Sequence, residues 1–389
     1  MNKQAKGILP IIVIAQFLCT SLWFAGNAIL PDLIKDFGLD GSSLGHITSA
    51  VQFGFIAGTL SYAFFMIADR FPATSVFLLS AVLGSASNLG ILTGQQSINS
   101  LLIFRFLTGF FLAGIYPVGM KIAADHFEKG LGKALGFLVG ALVVGTAFPH
   151  LLKSLTSSLS WKIVLILTAT LSLFGGVLMK LTVMDVPVHK NVSTLNFKGV
   201  FNIFRNTAFR SAAFGYFGHM WELYAFWAFV PVMLGTYKAL HTANELPISF
   251  WAFWIIAFGG LACVLSGYLS QTFGASKTAF AALLISGCCC LVSPFAFQLP
   301  PVLFIAFLIA WGLAVIADSP LFSTLVAQNV PAHIKGTALT SVTCIGFSIT
   351  IISIELLNYL AGYIDMRFIF LFLAAGPALG LLYMLNARR

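Results

Sequence analysis

Two ionisable side chains, His219 and Glu222, stand three residues apart in FGHMWELYAFWAFVP (217–231), a stretch otherwise made of aromatic and apolar residues. On a helix that spacing puts both on one face, close enough to meet. An imidazole beside a carboxylate can load and release a proton as water access changes, because the two groups titrate as a coupled pair. The same pair can instead contact a solute directly, lock its helix to a neighbour, or begin a metal site. No second HxxE-type pair supplies further ligands, so no metal is expected.

Three more ionisable residues lie inside apolar runs: Arg105 in RFLTGFFLAG (105–114), Asp318 in WGLAVIADSPLFSTL (311–325) and Glu355 in SIELLNYL (353–360). A charge at the centre of a membrane helix costs about 2.5–3.5 kcal/mol on insertion scales, so each is expected to pair, face a cavity or be neutral. Arg105 keeps its charge and can anchor an anion or act on a nearby carboxylate; it can equally snorkel or make a structural pair. Asp318 precedes Pro320, which should kink its helix. Its carboxylate then either lines a site or bonds the freed amides of the kink. Gln16, Asn27, Gln52 and Asn88 can line a pathway or bond between helices. His46 and His150 lie near span ends and read as interfacial. Trp221, Tyr224, Phe226, Trp227, Trp251 and Trp254 read mainly as belt or packing residues.

The elements that carry these groups follow from composition. The 389 residues are 59% hydrophobic and 8% charged, with mean hydropathy +0.96, where soluble domains carry about 25% charge. Long apolar runs recur throughout, which makes the chain a polytopic membrane protein and excludes a large water-soluble enzyme. Twelve spans are expected, at about 8–30, 44–67, 74–93, 101–124, 132–152, 162–184, 209–234, 249–271, 278–298, 302–327, 337–359 and 367–386. The first is too long for a signal-peptide core and reads as a retained helix.

The net charge of +9 does not point to nucleic acid, because the Lys and Arg residues sit in short loops between spans. With a cytoplasmic N-terminus, fifteen of them fall in inside segments and five outside, with Arg105 alone within a span. That distribution obeys the positive-inside rule and places both termini in the cytoplasm of a cell-membrane protein. The six cysteines all lie in apolar runs without CxxC spacing and read as small packing residues. No G-x-x-x-x-G-K-[ST] loop is present, so ATP does not drive the protein directly. No cofactor is expected.

The longest polar connection, 185–206, divides the chain into a six-helix bundle at 1–184 and another at 207–389. Within it, LNFKGVFNIF (195–204) is amphipathic and reads either as a surface helix or as a plain linker. The turn after the second span, FFMIADRFPATSV, echoes the turn after the eighth, GYLSQTFGASKTA, with Asp69 aligned on Gln271, Phe71 on Phe273 and Ala73 on Ala275. Parallel six-helix repeats around a central loop are a known transporter plan.

At these residues the chain resembles the major facilitator superfamily. The family signature G-x-L-a-D-R-x-G-R-(R/K) is matched by Asp69 and Arg70 in the first copy, and by Gly267, Leu269, Gly274 and Lys277 in the second, where Gln271 stands for the acid. Phe65 and Pro72 replace the first copy's glycines. A second signature, R-x-x-x-G-x-x-x-(A/G), is matched by Arg105, Gly109 and, one residue late, Gly114. The LPDLIKDFG exit from the first span is also family-like. The antiporter pattern of the fifth span is matched only at Gly136 and Gly140, with Ala141 in place of proline.

The resemblance implies an all-α integral membrane protein whose twelve helices form two pseudo-symmetric bundles. It implies a secondary transporter working by alternating access, not an enzyme. Asp69, Arg70, Gly267, Gln271, Gly274 and Lys277 would form its conformational motif. Gly54 with Gly58, and Gly136 with Gly140, would let helices approach closely and the halves rock. Helix 11 of the superfamily often lines the cavity, which implicates Glu355. The expected partners are a small-molecule solute, protons and the lipid bilayer, with no nucleic acid, and the expected state is a monomer. Proton coupling is expected at Glu222 with His219, and secondarily at Asp318, Glu355 and Arg105. Export of small organic compounds is preferred on the Arg105 signature. Proton-coupled uptake of an organic anion, with Arg105 as its anchor, and a non-coupled facilitator remain alternatives.

Overall fold

A computed structural model describes residues 3–93, 97–127, 131–185, 202–242, 245–331 and 334–386. Those residues are helical, with no strand among them, because a backbone in hydrocarbon must satisfy its N–H and C=O groups within its own segment. Among the described residues, eleven helices are long and apolar enough to cross a membrane, and Gly7–Thr20 is a shorter apolar helix. The protein is thus a multi-pass, all-α membrane protein. The chain forms two compact units, Met1–Thr194 and Leu195–Arg389. Of the 185–206 connection, 186–201 lie outside the described residues, and most of the amphipathic 195–204 stretch with them.

The first unit contains α1 (Lys3–Thr20), α2 (Ala25–Ala28), α3 (Leu30–Phe37), α4 (Ser43–Phe64), α5 (Ile67–Arg70), α6 (Ala73–Gly90), α7 (Ile98–Leu112), α8 (Tyr116–His126), α9 (Leu131–Leu155) and α10 (Lys162–Thr182). The expected first span is broken between α1 and α2, and the fourth between α7 and α8. Gly54 and Gly58 on α4 face the backbone of α7, and Gly109 on α7 faces that of α4. A methyl at any of the three would collide with a carbonyl oxygen, of Phe106, Phe110 or Val51. These glycines therefore set a backbone-on-backbone crossing inside one unit.

The second unit contains α11 (Thr207–Leu240), α12 (Ile248–Phe273), α13 (Ala275–Ala296), α14 (Pro301–Ala317), α15 (Ser319–Gln328), α16 (Lys335–Leu360), a 3-10 segment Ile369–Ala374 and α17 (Ala375–Asn386). Asn206 starts α11 firmly: its side-chain oxygen accepts from the amides of Ala208 at 2.9 Å and Phe209 at 3.1 Å. The helix then runs 34 residues, through Pro231, well past the expected end near 234.

The tenth span breaks at Asp318, where Pro320 occupies the first turn of α15. The amides of Leu321 and Phe322 bond the backbone carbonyl of Asp318, and its side chain makes no cap. The carboxylate is therefore not committed to the freed amides.

The echoed turns take different shapes. In the first copy Met66 adopts φ 54 before α5, and Pro72 forces Phe71 into an extended conformation. In the second, α12 continues to Phe273 and turns at Gly274 with φ 86, a conformation that favours glycine.

Candidate functional site

α11 places Glu222 and His219 wholly inside the second unit, at 0% and 1% exposure. They do not bond each other. Glu222 turns to α13 and α14: its Oε1 accepts from Trp311 Nε1 at 2.6 Å and from Cys290 Sγ at 3.3 Å. Its Oε2 accepts from Ser286 Oγ at 2.9 Å. All three donors are uncharged, and no cation pairs with this carboxylate among the described residues. Phe226 and Phe307 pack on the Trp311 indole at centroid distances of 4.7 and 5.7 Å, holding its N–H on the carboxylate.

His219 turns to the break in the tenth span, with Nδ1 2.7 Å from Asp318 Oδ1 and both side chains buried. The contact has ion-pair distance. Tyr216 and Phe322 enclose the imidazole, with centroids at 6.0 and 6.3 Å. One helix face thus carries two acid sites a turn apart: Glu222 among neutral donors, and Asp318 against a histidine. A buried carboxylate without a fixed cation can be neutral, or charged at high cost. That makes the cluster suited to binding and releasing a proton, or to holding a cationic group.

Glu222, His219 and Asp318 stand out from sequence alone, whereas Trp311, Ser286 and Cys290 do not. The signals were present. Trp311 lies seven residues, two helical turns, before Asp318, and Ser286 and Cys290 form an i, i+4 pair. Cys290 does more than pack: its thiol bonds the central carboxylate.

Arg105 is fully buried in the first unit. Its Nη1 donates to the Leu22 carbonyl at 3.2 Å and its Nη2 to the Trp23 carbonyl. Both carbonyls belong to the break after α1, where a helix C-terminus leaves C=O groups without intrahelical partners. The guanidinium lies across Gly26, where an added Cβ would sit 3.1 Å from Nε. No acidic side chain pairs with it among the described residues. The same break is bound to α4 by Asn27 Nδ2 to Thr48 Oγ1 at 2.6 Å and Trp23 Nε1 to Gln52 Oε1 at 3.2 Å. Asn88 bonds α10, through the Leu165 carbonyl at 3.1 Å. Gln16 is buried in the same unit.

Glu355 is only half-buried on α16, which sets it apart from Glu222 and Asp318. His150 is buried, at 2% exposure. Tyr224 and Trp227 are buried packing residues, and Trp221 donates to the Phe372 carbonyl at 3.1 Å. Of the motif residues, Asp69 meets Lys121 of α8 at 3.5 Å, and Lys121 also meets Asp125 at 3.1 Å. Arg70, Gln271, Gly274 and Lys277 are exposed, and Gly267 faces open space.

The family model described as Major Facilitator Superfamily matches residues 12–354. The chain belongs to that superfamily. The curated relatives it matches are described as transporters. Among curated relatives it is 26% identical over 274 residues to a putative niacin/nicotinamide transporter, NiaP, of Bacillus subtilis, a match covering 64% of this chain and 66% of that one. It is 27% identical over 194 residues to a probable galactarate/D-glucarate transporter, GudP, of the same organism, covering 47% of this chain and 42% of that one. It is 29% identical over 131 residues to the 4-hydroxybenzoate transporter PcaK of Acinetobacter baylyi, covering 31% and 28%. The matches therefore span from under a third to just under two thirds of these relatives' lengths. Among solved structures, the human organic anion transporter MFSD10 superposes with TM-score 0.75 at 13% identity, covering 98% of this chain and 99% of that one. The nucleoside transporter NupG gives TM-score 0.71 at 16% identity with full coverage of both chains. At such identities the structural likeness establishes the fold alone.

Proposed function

We propose that this superfamily member is a proton-coupled secondary transporter of small organic acids, working by alternating access as a monomer in the cell membrane with both termini cytoplasmic. The observation that carries the proton reading is Glu222, a buried carboxylate held by three uncharged donors with no cation beside it. His219 and Asp318 form a second acid site on the same helix face. The positive-inside charge distribution supports the orientation. Of the solutes in the relatives' names, niacin, galactarate, D-glucarate and 4-hydroxybenzoate carry carboxyl groups and nicotinamide does not; the shared carboxyl group supports an acid as cargo. Entry of the acid together with a proton is the direction this chemistry favours. Export is the second reading, supported by the Arg105 signature of α7.

Reconstituted protein should take up labelled nicotinate, D-glucarate or 4-hydroxybenzoate when the outside is acidified, and Glu222→Gln should abolish the dependence on the pH gradient. Saturable uptake that ignores the gradient and survives unchanged in Glu222→Gln sinks the proton assignment. Direction is read in cells: deletion lowers intracellular solute for an importer and raises it for an exporter.

A further inference from the structure

The geometry points to Ser286 as a positioning residue whose hydrogen bond reverses with the protonation state of Glu222, which places the exchanged proton on Oε2. This rests on the proton reading of Glu222 given above. The Ser286 hydroxyl has one hydrogen and two acceptors in reach: Glu222 Oε2 at 2.9 Å and the Leu283 carbonyl, in its own helix, at 3.1 Å. When Glu222 is ionised, the charge-assisted bond is the stronger, and the hydroxyl donates to Oε2. When a proton sits on Oε2, the carboxyl O–H becomes the donor, Ser286 Oγ accepts it, and the serine hydrogen turns to Leu283. Every polar atom stays satisfied in both states, and only one hydroxyl rotates.

Oε1 offers a poorer exchange, because beside the indole it faces only the weak sulfur acceptor of Cys290. It accepts from Trp311 and Cys290 together. An indole N–H donates and cannot accept, so a proton on Oε1 would be driven against Trp311. With the proton on Oε2, Oε1 remains a carbonyl-type acceptor and keeps both its donors. The carboxyl group is thus held by one oxygen and titrated at the other. The proton comes from water and returns to water, and no bond other than O–H forms or breaks. The other titratable groups around the site are Cys290 and Cys289 on α13, Asp318 at the α14–α15 junction and His219 on α11 itself. None of them bonds Oε2.

Infrared difference spectra of the full-length protein in lipid nanodiscs, titrated with pH and without any solute, test this. A protonated-carboxyl C=O band should appear as pH falls and be missing in Glu222→Gln. If Glu222→Gln removes no titrating band, the proton reading itself fails. Where that band is present, Ser286→Ala should displace its midpoint by about half to one pH unit, the difference between the charge-assisted bond lost in the ionised state and the neutral bond lost in the protonated state. It should also raise the C=O frequency, because the carboxyl hydrogen has lost its acceptor. Ser286→Thr, which keeps the hydroxyl, should restore both. A Ser286→Ala band with wild-type midpoint and frequency overturns the switch while leaving the proton site standing. Should the alanine variant fail to fold, Ser286→Cys, of similar size but a weak donor and acceptor, is read by the same two quantities with the same expectation.

Discussion

Replacing Glu222 by glutamine and by alanine should give very different stabilities, and the difference can be worked from the hydrogen bonds. Glutamine has the shape of a protonated glutamate. With its oxygen in the place of Oε1 it still accepts from Trp311 and Cys290, and its NH2 in the place of Oε2 donates to Ser286 Oγ. The Ser286 hydrogen then turns to Leu283, 3.1 Å away. Only the second amide N–H gains no acceptor, so the stability change should stay at about 1–2 kcal/mol. Alanine removes the acceptor for all three donors. Ser286 keeps Leu283 and the thiol is a weak donor, so the main polar loss is the buried Trp311 N–H, about 1–3 kcal/mol. The lost side chain adds about 2 kcal/mol in burial and cavity terms. The alanine variant should therefore be about 3–5 kcal/mol less stable. Denaturant-induced unfolding in detergent micelles, followed by circular dichroism, measures both. A glutamine variant as unstable as the alanine variant refutes the reasoning, because it would mean that Glu222 is needed as a charge to hold the unit together.

Arg105→Lys should lose one of two carbonyl bonds at the α1–α2 break, lowering stability by about 1.5–3 kcal/mol in the same unfolding assay; full stability with lost uptake would instead favour the anion-anchor role. Gly109→Val places side-chain atoms against the Val51 carbonyl, so folded protein recovered by size-exclusion chromatography should fall sharply, and wild-type yield would refute the α4–α7 crossing. Asp185 caps the start of α6, accepting from the Thr74 amide at 2.8 Å and the Thr74 hydroxyl at 2.6 Å, with Lys180 beside it. Burial pushes its carboxyl up, but the Thr74 bonds and the Lys180 ammonium outweigh this and hold it below the ordinary carboxylate range. Because its folded value lies below the unfolded one, its contribution is present above about pH 4 and lost as pH falls through the folded value. Asp185→Asn should cost about 0.5–2 kcal/mol at neutral pH and flatten the acid limb of the melting-temperature profile; an unchanged profile sinks the capping role.

The membrane class, the helical crossings and the family were legible because they rest on periodicity, composition and short motifs, which are local properties of the chain. So was the identity of the costly residues. Glu222, His219 and Asp318 stand out in hydrocarbon whatever surrounds them, and Pro320 announced the break in the tenth span. Partnership was not legible. The i, i+3 spacing suggested that His219 and Glu222 meet, but side chains on one helix face splay toward different neighbours once that face is packed. α14 reaches Glu222 through Trp311, and the α14–α15 junction reaches His219 through Asp318. Likewise Gly54 and Gly58 were legible as a close-approach face, but not that α7 would fill it.

Arg105 shows the same division most plainly. Its burial and permanent charge follow from the residue type and the apolar run around it. Whether that charge serves a solute, a carboxylate or the backbone depends on where α1 breaks, and the break is a tertiary outcome sealed by Asn27–Thr48 and Trp23–Gln52 bonds to α4. Sequence thus determined that this chain is a membrane-spanning helical protein of its superfamily and which side chains would be costly there. Only tertiary structure decided what answers each cost, because hydrogen-bond partners come from helices distant in the chain, and their distances are set by packing that no local pattern records.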